Sequence, residues 1–205
     1  MGSLVVTEFV TLDGVAQAPG APDEDRDGDF THGGWQAPLM VEEPESDNAI
    51  FRQAQTMDAL LLGRRTYEIF ADYWPTAPDE IPFTRLLNEV PKYVASRALA
   101  EPLAWPGSTV LGDPIAERVT ALKQRHDEVH VIGSLDLVQS LLHAGLVDKL
   151  ELWLYPVLLG SGKKVFGDGT VPTALRLVES VTHAGGALQL TYETAGTPTY
   201  GTVAA

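Results

Sequence analysis

Cysteine is absent from the 205-residue sequence, and positive charge is scarce. Without thiols there is no disulfide frame, no thiolate metal site and no cysteine nucleophile. Fourteen Lys and Arg stand against 28 Asp and Glu, a formal charge of -14, so nucleic acid and anionic membrane surfaces are repelled at long range. No apolar run approaches the roughly 20 residues of a membrane span, and the start Met1-Gly2-Ser3-Leu4 has neither a basic flank nor a long apolar segment. These absences predict a cytoplasmic protein with no nucleic-acid and no membrane partner. An anionic small molecule must then be held by locally concentrated charge. The five histidines, at 32, 126, 130, 143 and 183, show no pair at ligand spacing on one helix, so no metal site is predicted.

With 44% hydrophobic residues, the length suits one globular domain over residues 1–205. Leu4 to Thr11 reads as a strand closed by the turn Asp13-Gly14, after which Val15 and Ala16 lead into a loop. Residues 17–43 have no helical or strand period and are rich in Pro, Gly and Asp, which predicts a lid or insert loop. Its Phe30 and Trp35 argue that the second half packs on something. Ser46 is read as the cap of a helix with Ile50, Ala54 and Met57 on one face. Further strands are predicted at Ala59–Leu62, Lys92–Ser96, Ser108–Leu111, Glu128–Ile132 and Leu150–Tyr155. Helices are predicted from Tyr67 to about Tyr73, after Asp113-Pro114 as cap and first-turn proline, and from Leu135 to Gly145. A last pair of strands, Leu175–His183 and Leu188–Thr194, reads as a hairpin, and residues 196–205 as a weakly ordered tail. Strands alternating with helices predict an α/β fold, with a mostly parallel sheet covered on both faces and an antiparallel hairpin at its end.

The most pointed stretch is Asp58 to Tyr67, Asp-Ala-Leu-Leu-Leu-Gly-Arg-Arg-Thr-Tyr. A buried strand ends at Gly63, and Arg64, Arg65 and Thr66 stand at the entrance of a helix, whose free amides and positive dipole end favour an anion. Ser96-Arg97 and Gly133-Ser134 also follow strands, where ligands of such sheets sit. The segment Gly160-Ser161-Gly162-Lys163-Lys164 fails as a phosphate-binding P-loop, which needs a glycine at Val157 and a hydroxyl residue at Lys164. No nucleophile elbow surrounds Ser96 or Ser134.

Leu-Leu-Leu-Gly-Arg-Arg-Thr-Tyr (60–67), Ala-Ser-Arg (95–97), Val-Ile-Gly-Ser (131–134) and Gly-Leu-Val-Asp-Lys-Leu…Pro…Leu-Gly-Ser-Gly…Phe (145–166) together resemble the dihydrofolate reductase superfamily. The branch is that of the reductase domain of bifunctional riboflavin-synthesis enzymes. This resemblance implies a three-layer fold of that type, an NADPH cofactor and an oxidoreductase acting on a small heterocycle. It places Arg64, Arg65, Thr66, Ser96 and Arg97 on NADPH, with Gly63, Gly133 and Ser134 beside its phosphates and Val15 and Ala16 alongside. It also aligns Asp47 with the carboxylate that assists protonation of the ring nitrogen, and Phe51 with a residue packing on the substrate. Trp35 and Trp153 complete the implied substrate pocket. A homodimer is implied by the resemblance alone.

Several departures bear on the substrate. Pro91 replaces the arginine that grips a glutamyl carboxylate, and Trp153 replaces the threonine behind the carboxylate. Ser134 replaces a glycine of the usual pair. These changes point to a small pterin-like or pyrimidine-like ring without a glutamate tail. Two other readings stay open: a flavin- or deazaflavin-using reductase of the same fold, and a binding or resistance protein that sequesters a small aromatic molecule without turnover.

Overall fold

Three successive leucines, Leu60, Leu61 and Leu62, are all fully buried, which a strand achieves only when both faces of its sheet are covered. A computed structural model, describing residues 1–40 and 48–203, shows how. In chain order the elements are β1 (Ser3–Thr11), α1 (Ala49–Ala54), β2 (Ala59–Gly63), α2 (Arg64–Tyr73), α3 (Pro82–Glu89), β3 (Lys92–Ala95), β4 (Ser108–Leu111), α4 (Ile115–Arg125), β5 (Glu128–Ile132), α5 (Leu135–His143), β6 (Lys149–Tyr155), β7 (Leu175–Thr182) and β8 (Leu188–Thr194). The strands form one sheet in the order β4-β3-β2-β5-β1-β6-β8-β7. All pairs from β4 to β6 are parallel, whereas β8 runs antiparallel to β6 and to β7. The predicted class and hairpin are those observed.

The alternation of side chains along each strand divides the interior into two cores. Ala59 and Leu61 join Leu4, Val6, Val129 and Val131 beneath α4 and α5, which contribute Val119, Leu122, Val138 and Leu141. Leu60 and Leu62 face the other way, onto Ala54, Tyr67, Leu87, Val94 and Trp105. A large aliphatic side chain so buried stabilises the fold by about 1.5–3 kcal/mol. The outer strand β7 is exposed along most of its length. Among the described residues, no helix is long and apolar enough to cross a membrane.

Two predicted helix starts are corrected. α1 begins at Ala49, with Asn48 as its cap accepting from Phe51 N at 2.9 Å. Ser46 and Asp47 lie outside the described residues. α4 begins at Ile115 with Pro114 at the cap position and no side-chain cap, because the Asp113 carboxylate is turned to Arg97 instead, Nε to Oδ2 2.6 Å.

Candidate functional site

The carboxyl ends of β1, β2, β3 and β5 open into a cleft of about 620 Å³, within the range of small-molecule sites. β2 and β5 are neighbours in the sheet, so the helices that follow them, α2 and α5, start side by side. Gly63 and Ser134 occupy their cap positions, and neither helix has a side-chain cap on its first turn. The two starts are bonded to each other: Gly63 N donates to Ser134 Oγ at 2.9 Å, and Ser134 N donates to Thr66 Oγ1 at 3.1 Å. A Cβ on Gly63 would make ordinary van der Waals contact with Ser134 Cβ at 3.5 Å, whereas Gly133 has a φ of +59°, which a side chain rarely adopts. Two helix dipoles therefore present their positive ends to one cleft.

The cations of the cleft all have carboxylate partners. Arg64 pairs with Glu68 at 2.9 Å, one helical turn along, and Arg97 with Asp113. Arg65 lies 2.7 Å from Asp27, and Lys163 lies 2.8 Å from Asp25 and 2.9 Å from Asp27. Hydrogen bonds from Lys163 and Arg65 hold the Asp27 carboxyl down at about 2. Such solvent-exposed pairs are screened and weak. A phosphate, with more charge and more acceptor oxygens, can replace the carboxylates on these cations.

Lys163 reaches the cleft because residues 14–17 and 163–165 run alongside each other. Ala16 N donates to Lys163 O, Lys163 N to Gln17 Oε1, and Val165 N to Gly14 O. Thr11 Oγ1 and the amides of Leu159 and Gly160 all donate to the Asp13 carboxylate, which holds it at about 2. Gly162 is required in this strap: with φ +120°, its Cβ would meet Phe30 and Val15 at 2.7 Å.

At the floor of the cleft stands Glu8, on β1 and only 2% exposed. Its Oε1 has no hydrogen-bonding partner among the described residues, and burial pushes the carboxyl up to about 8. The cleft thus combines a wall of helix starts and paired cations with a carboxyl that burial keeps protonated at neutral pH.

A family model, the RibD C-terminal domain, matches residues 3–188. The chain belongs to the RibD C-terminal domain family. Protein YyaP of Bacillus subtilis (strain 168) is 30% identical over 140 residues, covering 66% of this chain and 73% of its own. A putative riboflavin biosynthesis protein from Shewanella sp. PV-4 shares the fold with a TM-score of 0.71 at 20% identity, covering 94% of this chain and 99% of its own. Dihydrofolate reductase from Enterococcus faecalis, solved with NADP(H), has a TM-score of 0.55 at 18% identity, covering 94% of this chain and 96% of its own.

In this RibD C-terminal domain, the cleft gathers Ala16, Gly63, Arg64, Arg65, Thr66, Ser96, Arg97, Gly133 and Ser134, nine of the residues expected at the cofactor. Val15 is fully buried behind the wall, bridged to Lys164. The Ser96 hydroxyl is engaged locally, accepting from Ala98 N and Leu99 N. The three residues expected at the substrate are not on this wall. Trp35 is buried with its indole on Gln17 O, Phe51 packs edge-on against Phe83, and Trp153 bonds Gln53 and lies against His183. Asp47 falls outside the described residues. Lys163, from the segment that fails as a P-loop, lines the cleft too, as do Glu8, Gln36, Asp25 and Asp27, which carry no motif. Of these only Glu8 left a signal, a lone acid in the apolar strand Leu-Val-Val-Thr-Glu-Phe-Val.

Proposed function

We propose that this chain is an NADPH-dependent reductase transferring hydride to a small pterin-like or pyrimidine-like heterocycle. The observation that carries this reading is the junction of two uncapped helix starts, from neighbouring strands, at a cleft ringed by Arg64, Arg65, Arg97 and Lys163. The residues fit a phosphorylated dinucleotide. The first-turn amides of α2 and α5 suit a pyrophosphate, and the absence of side chains on Gly63 and Gly133 lets a backbone-close ligand approach. Arg97, 84% exposed at its side chain, stands where a 2′-phosphate at the outer end of the cleft can displace Asp113.

The family, and the likeness to a reductase solved with NADP(H), support the cofactor assignment. When bound, NADPH supplies a hydride. The chain's own residues bind and orient it. A heterocycle without an anionic tail agrees with a floor that carries a neutral carboxyl.

Titration of the intrinsic tryptophan fluorescence, which includes Trp74 on the cleft wall, tests the proposal directly. NADPH is expected to bind about ten-fold or more tightly than NADH, and Arg97→Ala to remove most of that preference by deleting a charge-assisted bond worth about 1.5–3 kcal/mol. Equal affinities for the two dinucleotides in the unaltered protein refute it.

A further inference from the structure

Glu8 is a costly residue to place where it stands. β5 and β6 flank β1 and set Leu152 opposite Glu8. The charged residues of those strands nearest to it, His130, Lys149 and Glu151, pair with Val5 and Thr7, whose side chains point to the opposite face. The same face as Glu8 carries Val6 and Val10, packed with Leu135 and Leu152. The other acids on the cleft wall nearest in the chain or on α5 are Glu24, Asp25 and Asp136. Among the described residues no basic group compensates the carboxyl, and no hydroxyl or amide bonds Oε1. A structural role explains neither the unpartnered oxygen nor its position on a cleft wall.

We propose that Glu8 is a catalytic residue of the cleft, exchanging a proton with the ring nitrogen of a bound C=N heterocycle while the neighbouring carbon is reduced. The inference rests on the reductase reading above. Reduction of C=N takes a hydride at carbon, supplied by the reduced dinucleotide, and a proton at nitrogen. The proton leaves the Glu8 carboxyl: its O–H bond breaks, an N–H bond forms, and the carboxylate left behind is reprotonated from solvent. The product is the CH–NH compound. A group that is still protonated near neutral pH is suited to donate in this way. The same oxygen, once ionised, is an acceptor for a protonated ring edge.

The test uses the full chain saturated with NADP⁺ and 2,4-diaminopyrimidine as the probe, so that nothing turns over. Calorimetry in buffers of different ionisation enthalpy reads proton uptake. At about pH 9 Glu8 is ionised and the probe neutral, so the unaltered protein is expected to take up about one proton per probe bound. Glu8→Gln is expected to bind the probe about ten-fold more weakly, without uptake, while its NADP⁺ affinity stays within about two-fold. Unchanged uptake in Glu8→Gln overturns the proposal, as does uptake that survives there but is lost in Asp47→Asn, or failure of the unaltered protein to bind the probe. Should Glu8→Gln fail to fold, the infrared C=O band of the protonated carboxyl in the unaltered protein decides. A band that shifts when the probe binds supports the proposal, and one that does not overturns it. Failure of the reductase reading is distinguishable, because it appears in the dinucleotide titration and not in the probe titration.

Discussion

Burial keeps the Glu8 carboxyl protonated up to about 8, while in the unfolded chain it ionises near its ordinary value of 4.5. Between those two values the folded chain holds one proton more than the unfolded chain, so this residue's contribution to stability falls as pH rises. It is fully present below about 4.5 and lost by about 8, at a slope of about 1.4 kcal/mol per pH unit. Glu8→Gln keeps the size and removes the titration. Its stability relative to the unaltered protein, measured by urea unfolding at a series of pH values, is therefore expected to improve steadily from about pH 5 to 8. Parallel stability curves would mean that Glu8 is solvated in the folded state. A residue that works against its own fold at neutral pH is the kind that a site retains and a core does not.

At the scale of elements, the strap of residues 14–17 and 163–165 and the acids Asp25 and Asp27 set the charge state of the cleft wall. Asp27 holds Arg65 and Lys163, both of which a phosphate would need. Asp27→Asn is expected to tighten NADPH binding by about two- to five-fold, the scale of one half-exposed ion pair, and a fluorescence titration at low salt reads it. Weaker binding would show that Asp27 orders the wall instead of competing for it.

How much of this could be read from the sequence follows from whether the signal was local. β2 and α2 are written in one stretch, an apolar run, a glycine and two arginines, and Gly133-Ser134 repeats the same strand-to-helix grammar at β5. The place of Lys163 in the cleft is not legible from its glycine-rich segment, because it depends on a pairing across 146 residues, between Gln17 and Lys163. Trp35, Phe51 and Trp153, expected at the substrate through the resemblance, make contacts that no local pattern announces, with Gln17, Phe83 and Gln53. Asp113 before Pro114 carries the usual signal of a helix cap, but a nearby guanidinium outcompetes the helix amides for its carboxylate.

For the whole molecule, the formal charge of -14 sets the approach of any polyanion. Long-range repulsion opposes NADPH until it is within reach of Arg64, Arg65 and Arg97, so screening should help the encounter. The association rate measured by stopped flow is expected to rise as salt is added from about 10 to 100 mM, where the Debye length falls from about 30 to 10 Å. A rate that falls with salt would mean that the basic wall steers the cofactor in spite of the net charge. Arrival is thus governed by the whole surface, but fit is governed by one joint. Gly63 and Ser134 lie 71 residues apart in the chain, and each bonds the other's helix start before anything binds. The interval between the two helix starts works as a gauge set during folding, and that joint needs no ordering of its own when a ligand arrives. What such a gauge rejects is a linker between phosphates of the wrong length, whatever rings hang from its ends.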